Sequence, residues 1–233
     1  MTVFSFVLGT CTGSFVLCVT NRLLDGKPIG GRSHCDRCKH ELSWYDLVPV
    51  VSWIAMRGRC RYCRGKIPVS FVGVEVLMGI LYAVIGYRYG VSSFTVLLWC
   101  LMAVVLSLSI EDINKYTIHD GYHVLLVLCR VVYAVVEKEK YFLLFVVEGL
   151  LVMAGIYVLS VIMQQLLHKV CLGMGDVKLL GCIGLYVGIE GSWLVCAAAS
   201  FAALVVAAVL KKNKLPFGPF LGWAFLVVLT ACG

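Results

Sequence analysis

The segment Cys171-Leu-Gly-Met-Gly-Asp-Val-Lys178 decides how this chain folds, because it places a charged residue between two long apolar runs. Within it, Gly173, Gly175 and Asp176 form a Gly-x-Gly-Asp pattern. An ionisable side chain at membrane depth is costly and usually serves a function. A second aspartate, Asp112, also follows a long apolar run. The sequence therefore predicts a membrane protein with two paired carboxylates.

The composition is that of an integral membrane protein. Of the 233 residues, 61% are hydrophobic and only 14% are charged, whereas a soluble domain has about 25% charged residues. Since about 20 apolar residues cross a bilayer, we expect an all-α polytopic fold with about eight transmembrane helices and the lipid bilayer as a partner. The predicted spans are residues 2–22, 69–88, 91–110, 118–136, 141–166, 177–189, 192–210 and 217–231.

The loop after the first span sets the orientation in the membrane. It holds ten of the 20 basic residues and only four acidic ones, so the positive-inside rule makes it cytoplasmic and the N-terminus external. Alternation of the later spans then puts Asp112 and Asp176 at cytoplasmic ends. This bias accounts for the net charge of +7, and no nucleic-acid partner is expected. The first span lacks a basic leader, so we expect a retained helix rather than a cleaved signal peptide.

A polar insert at residues 24–68 carries two pairs of cysteines. Their spacing, C-x2-C-x21-C-x2-C, is typical of a tetrahedral zinc site. A structural zinc ion would supply folding free energy that so short a loop lacks. A redox dithiol pair and metal-free cysteines are the alternatives, and the reducing cytoplasm favours the metal. The cysteines are Cys35, Cys38, Cys60 and Cys63.

The chain is accordingly predicted to have three parts. Residues 1–23 form the first transmembrane helix, residues 24–68 the cytoplasmic zinc-binding insert, and residues 69–233 the membrane core.

A pair of adjacent carboxylates suits peptide hydrolysis. At close range both cannot ionise, so one acts as an acid while the other acts as a base on a shared water molecule. Gly173 and Gly175 permit close backbone approach beside Asp176, although helix packing alone would also explain them. Asp120 is the reserve candidate for the second acid.

The segment Pro216-Phe-Gly-Pro219 opens the last predicted span at the same face. Proline breaks a helix, and irregular backbone at membrane depth must be covered by protein or water. We therefore expect this segment to line the cleft and to pair with an extended substrate. A simple proline-containing helix start is the alternative.

Three further charged residues lie in apolar segments. Arg130 and Glu148 fall at similar depth in the hairpin of the fourth and fifth spans, which predicts an ion pair. Glu75 lies near the insert and could contact either a cofactor or the insert itself. The alternative for Glu75 is a pairing with Arg64 or Lys66.

These motifs together resemble the prepilin peptidase family, also called type IV leader peptidases, of the GxGD class of intramembrane aspartic proteases. The similarity covers most of the chain. It departs from the family where Ile118-His-Asp120 replaces Ile-Pro-Asp, and where Val16 stands at a frequent asparagine. The matching segments are Gly13-Ser-Phe15, residues 32–49, Arg57-Gly-Arg-Cys-Arg-Tyr-Cys63, Asp112, Gly173-Met-Gly-Asp-Val-Lys178 and Pro216-Phe-Gly-Pro-Phe220.

The resemblance implies that Asp112 and Asp176 are the catalytic pair and that the four cysteines bind zinc. It implies prepilin or pseudopilin precursors as substrates, cut after a glycine at the cytoplasmic face of the bacterial inner membrane. Family members with the four-cysteine insert also methylate the new N-terminus with S-adenosylmethionine. No residue is assigned to that cofactor from the sequence.

Two other classes of function compete with this reading. One is a transporter in which Asp112, Asp176 and Glu75 relay protons beside a structural zinc insert, and the other is a zinc or thiol sensor. Transport favours carboxylates near mid-bilayer and repeated halves. Here the two aspartates share one face and no internal repeat is evident, which favours the peptidase.

Overall fold

The computed structural model describes residues 1–168, 172–211 and 214–232. These residues form eight α-helices, one short 3-10 turn and no β-strand, which confirms the predicted all-α class. Cys171 lies outside the described residues. The helices are α1 (Thr2–Leu24), α2 (Val51–Ala55), α3 (Val69–Tyr89), α4 (Ser93–Lys115), α5 (Asp120–Val136), α6 (Phe142–Leu167), α7 (Met174–Leu210) and α8 (Gly218–Cys232).

Five of the described helices, α1, α3, α4, α6 and α7, are long and apolar enough to cross a membrane. The helices α5 and α8 are also apolar but shorter, with 17 and 15 residues. The protein is thus a multi-pass membrane protein. The short α2 lies in the polar insert.

Helix α7 is interrupted at Gly188. Its 37 residues would extend roughly 55 Å at 1.5 Å per residue, well beyond the roughly 30 Å of a hydrocarbon core. Gly188 has φ of 66° and ψ of −169°, a conformation open only to glycine. The sequence predicted two spans, 177–189 and 192–210, and the break falls at this glycine. With α7 counted as two parts, the described residues hold the eight apolar segments expected.

The chain divides into two compact units, Met1–Trp99 and Cys100–Gly233. In the first unit, α1 packs against α3 through small residues. A Cβ atom at Gly9 would lie only 2.5 Å from the carbonyl oxygen of Met78, and one at Gly79 would lie 2.7 Å from Thr10. Backbones that approach this closely gain dispersion contacts, which are the main attraction between helices in lipid.

In the second unit, α7 is the central helix and packs against α5, α6 and α8. Its first half contacts α6 where Gly149 faces Gly184, since a Cβ at Gly184 would lie 2.8 Å from Cα of Gly149. The side chains of Ile183, Leu221 and Phe225 are completely or almost completely buried. This packing holds the N-terminal turn of α7, which carries Asp176, against its neighbours.

Candidate active site and metal centre

Asp112 lies in the last turn of α4, where its side chain is buried. Its Oδ2 atom accepts a hydrogen bond of 2.9 Å from the backbone N–H of Gly218, the first residue of α8. The positive end of a helix dipole and a free N–H group both favour a carboxylate there. The start of α8 therefore orients Asp112. The predicted span ended at residue 110, but α4 continues to Lys115.

Gly218 leaves no room for a side chain beside this contact. A Cβ atom there would lie 2.8 Å from Oδ2 of Asp112 and 2.9 Å from Cδ1 of Ile118. The segment Pro216-Phe-Gly-Pro219 is thus in direct contact with one of the predicted catalytic carboxylates.

Asp176 lies in the first turn of α7, where it is half-buried. Gly173 precedes the helix, and a Cβ atom there would lie 3.4 Å from Oδ2 of Asp176. A Cβ atom at Gly175 would lie 3.2 Å from Cβ of Ile118. Both glycines of the Gly-x-Gly-Asp pattern therefore face close neighbours.

Ile118 links the two aspartates. Its side chain contacts Gly175 on one side and Gly218 on the other, so the start of α7 and the Asp112 contact converge around one residue. The N–H group that binds Asp112 and the glycine that precedes Asp176 thus both lie against the side chain of Ile118.

His123 is a further residue at this site that the sequence analysis missed. It is buried on α5, and its Nε2 lies 3.0 Å from the carbonyl oxygen of Gly175. Its Nδ1 has no hydrogen-bond partner among the described residues and lies 3.6 Å from Oδ1 of Asp120. The signal available in the sequence was its spacing, one helical turn after Asp120 in an otherwise apolar segment.

The reserve candidate Asp120 is exposed and pairs with Lys178 at 2.6 Å. This ion pair joins the first turns of α5 and α7 two residues beyond Asp176. An exposed ion pair contributes little stability. Its position still ties together the two helix starts that flank the aspartates.

The four cysteines of the insert converge in the first unit. Their Sγ atoms all lie within 4.8 Å of one another, and those of Cys35 and Cys63 are 3.9 Å apart. A tetrahedral zinc site with Zn–S bonds of 2.3 Å requires sulfur separations of about 3.8 Å. The predicted cluster is thus present, with a donor set and spacing that fit a metal ion.

Two matching knuckles bring the sulfurs together. The N–H of Cys35 donates to the carbonyl of His40 at 2.9 Å, and the N–H of Cys60 donates to that of Gly65 at 2.8 Å. The residue after each second cysteine has φ of 58°. Each knuckle therefore turns back sharply and presents two thiols on one side, as zinc knuckles do.

The thiols of the first knuckle differ in acidity. The backbone N–H of Cys38 is the main cause that lowers the pKa of Cys35 to about 7. The backbone N–H of His40 lowers the pKa of Cys38. Burial and the neighbouring sulfurs of Cys35 and Cys63 outweigh that effect and raise this pKa to about 11. Four thiolates this close repel one another unless a cation binds them.

Two predicted charge pairs are wrong. Arg130 pairs with Glu139, at 2.5 and 2.9 Å, and not with Glu148. Glu139 belongs to the connection between α5 and α6, which folds back onto the arginine. Glu75 pairs with neither Arg64 nor Lys66, because its Oε2 accepts a hydrogen bond of 2.7 Å from the backbone N–H of Val50. Its predicted contact with the insert is confirmed.

Fold and site together define a multi-pass membrane protein with a carboxylate pair at helix ends and a thiol cluster in a polar insert. Residues 7–89 match the family model of the bacterial peptidase A24 N-terminal domain, and residues 99–208 match that of the type IV leader peptidase family. The chain is 30% identical, over 193 residues, to the type 4 prepilin-like proteins leader peptide-processing enzyme of Escherichia coli O78:H11, covering 82% of this chain and 72% of that protein. The chain belongs to the type IV leader peptidase family.

Two further relatives share the name prepilin leader peptidase/N-methyltransferase. The Myxococcus xanthus protein is 39% identical over 115 residues, which cover 49% of this chain and 34% of that protein. The Burkholderia pseudomallei K96243 protein is 29% identical over 254 residues, covering 94% of this chain and 81% of that protein. No solved structure matches the chain.

Proposed function

We propose that this protein is a prepilin leader peptidase in which Asp112 and Asp176 form the catalytic pair. The observation that carries the proposal is the approach of Gly218 and Gly175 to Ile118, since Gly218 donates to Asp112 at 2.9 Å and Gly175 directly precedes Asp176. The names of the relatives support prepilin or prepilin-like precursors as substrates.

The chemistry follows from two carboxyl groups that share one proton. The ionised carboxylate takes a proton from a water molecule, whose oxygen attacks the scissile carbonyl carbon. The other carboxyl donates its proton as the tetrahedral intermediate breaks its C–N bond and releases the amine. The products are the leader, with a new carboxyl end, and the mature protein, with a new amino end.

The reaction is expected at the cytoplasmic face of the bacterial inner membrane. Asp112 lies at the end of α4 and Asp176 at the start of α7. If α5 and α6 each cross the membrane once, both aspartates lie at the same membrane face. The basic loop after α1 supports a cytoplasmic assignment for that side. Pro216-Phe-Gly-Pro219 would then hold the extended peptide beside Asp112.

We further propose that the cysteine cluster holds a structural zinc ion. The cluster belongs to the insert of residues 24–68, which we propose separates the first helix, residues 1–23, from the peptidase core, residues 69–233. The donor set, four thiols whose Sγ atoms all lie within 4.8 Å of one another, suits zinc among the common metals. Bound by all four sulfurs, the ion would stabilise the fold of the insert and would leave no open coordination position for catalysis.

The names of the relatives include an N-methyltransferase, and we propose N-methylation of the new amino end with S-adenosylmethionine as a second activity. A methyl group would pass to the amine released by the peptidase reaction. We assign methyl transfer to the insert and its flanking helices, which match the N-terminal family model. This part of the chain carries none of the proposed peptidase residues.

The test is cleavage of a purified prepilin whose leader ends in glycine, with the product mass recorded. Wild-type protein should cut after that glycine, and Asp112→Asn and Asp176→Asn should not. Glu111→Gln is the matched control beside Asp112, and Asp120→Asn tests the reserve acid; both should retain most of the activity. Full activity of Asp176→Asn would sink the proposal.

A further inference from the structure

A cavity of about 460 Å³ lies within the unit Met1–Trp99. It is bounded by the C-terminal half of α1, the insert and the start of α3, and all of its lining residues fall between Ser14 and Glu75. Its volume lies in the range of about 300–1,000 Å³ that small-molecule and cofactor sites occupy. None of the proposed peptidase residues contributes to it.

Trp53 is one of the residues that line this cavity. Its Nε1 is buried and has no hydrogen-bond partner among the described residues. Gly58 fixes the ring, since a Cβ atom there would lie 2.8 Å from Cζ2 of Trp53. A buried N–H group without a partner is costly, and native structures rarely leave one. A ligand that brings an acceptor atom to this N–H group would remove that cost.

Glu75 lines the same cavity and is 9% exposed. Its Oε2 accepts a hydrogen bond from the N–H of Val50, but no described lysine, arginine or histidine forms an ion pair with it. A buried carboxylate without a cation is unfavourable. Glu75 therefore points to a ligand that carries positive charge.

The rest of the lining suits a ligand with groups of both signs. Acidic Asp25 and Asp36 and basic Arg22 and Lys66 all border the cavity. Arg22 is held in place by the carbonyl of Ile29, to which its Nη1 donates at 2.6 Å. A zwitterionic ligand with an apolar body matches this surface better than a purely anionic or purely apolar one.

We propose that this cavity is the binding site for S-adenosylmethionine, with Trp53 donating to an acceptor atom of the ligand and Glu75 facing its cationic end. The ligand carries sulfonium and ammonium charges, a carboxylate, and acceptor atoms on its adenine and ribose. The inference rests on the methyl transfer proposed above and assigns residues to it. When bound, the donor supplies a methyl carbon whose C–S bond breaks as a C–N bond forms to the amine, which loses a proton.

The experiment measures binding of labelled S-adenosylmethionine to the full-length protein in lipid nanodiscs, without prepilin. Trp53→Phe keeps the aromatic ring but removes the N–H group, and Glu75→Gln keeps the shape but removes the charge. We expect saturable binding to wild type, displaced by S-adenosylhomocysteine and not by ATP, and at least about tenfold weaker binding to each variant. Ultraviolet crosslinking should attach the label to a peptide containing Trp53.

Trp44→Phe is the matched control, because Trp44 belongs to the same insert but is 79% exposed; it should bind as wild type does. Equal zinc content in all three variants shows that the insert is folded. No binding to wild type, or equal binding to wild type and Trp53→Phe, overturns the site. Because binding is read without cleavage, this inference and the proposed peptidase activity fail separately. Binding in this assay, with no methylation of cleaved prepilin in a separate assay, would contradict only the methyl-transfer proposal.

Discussion

The Nε2 atom of His123 lies 3.0 Å from the carbonyl oxygen of Gly175, the residue immediately before Asp176. A carbonyl oxygen can only accept a hydrogen bond, so Nε2 must carry the proton. The contact ties the first turn of α7 to α5 at the position where a shift would move the Asp176 carboxylate. His123 is thus placed to position Asp176 without contacting the substrate itself.

Replacing His123 should therefore slow catalysis more than it weakens substrate binding. We expect His123→Leu to lower kcat about tenfold or more with little change in KM, because small misplacements of a catalytic group are costly. His123→Gln can place its amide nitrogen near the Nε2 position and should recover most of the rate. Steady-state cleavage kinetics at matched amounts of folded enzyme provide the measurement. Equal losses of kcat in both variants would contradict a positioning role for the hydrogen bond to Gly175.

Gly218 should not tolerate a side chain. Its Cβ would lie 2.8 Å from Oδ2 of Asp112, so Gly218→Val should displace that carboxylate and reduce cleavage by about a hundredfold. Gly155→Val is the matched control, because no heavy atom lies within 4 Å of a Cβ there. Cleavage rates of both variants decide the point. An active Gly218→Val enzyme would show that the contact with Asp112 is dispensable.

Arg130 should be coupled to Glu139 and not to Glu148. Its guanidinium also donates to the carbonyl of Leu185 at 2.7 Å, so Arg130→Met removes several contacts of a buried cation. We expect this substitution to lower the free energy of unfolding by about 3 kcal/mol. Breaking a buried ion pair costs about 3–5 kcal/mol, and the lower value applies because the Glu139 side chain is 25% exposed.

A double-mutant cycle on unfolding free energies in detergent separates the two partners. Arg130→Met combined with Glu139→Gln should deviate from additivity by about 1 kcal/mol or more, whereas the combination with Glu148→Gln should be additive within about 0.5 kcal/mol. The opposite pattern would restore the pairing expected from the sequence.

The cysteine cluster should hold one zinc ion per chain. Removing one of four thiolates opens the site, so Cys35→Ser should lose the metal, whereas Cys100→Ser, an exposed cysteine outside the cluster, should retain it. Zinc content measured by atomic emission checks this. Zinc should also be released as the pH falls, because protons compete with the metal for the thiolates.

If the zinc is structural, Cys35→Ser should impair methylation or the folding of the insert more than bond cleavage. Proteolysis within residues 24–68 should become faster after chelation, since the insert loses its main stabilising contact. Full zinc loss with unchanged proteolysis and methylation would contradict the structural role.

Much of the architecture could be predicted from the sequence, because burial in lipid imposes long apolar runs that composition reveals directly. The spans, the break in α7 and the convergence of the four cysteines all follow from spacing. The break in α7 requires a residue that can adopt φ of 66°, and Gly188 provides it. This glycine lies within two residues of the boundary predicted between the spans 177–189 and 192–210.

The charge pairs could not be predicted, because position along a helix gives depth but not the direction of a side chain. Arg130 and Glu148 have similar depth, yet Glu139 reaches the arginine from a connection that folds back. Glu75 finds a backbone N–H group in the insert rather than a basic side chain. His123 was missed for the same reason, since its partner is a backbone carbonyl that no sequence pattern marks.

The most direct test of the aspartate pair is a kinetic cycle on prepilin cleavage with Asp112→Asn, Asp176→Asn and the double variant. Residues that act as one catalytic unit are not additive, so each single variant should lose about a thousandfold or more in kcat and the double variant should lose no more than that. Independent, multiplying losses, or substantial cleavage by either single variant, would contradict a shared mechanism.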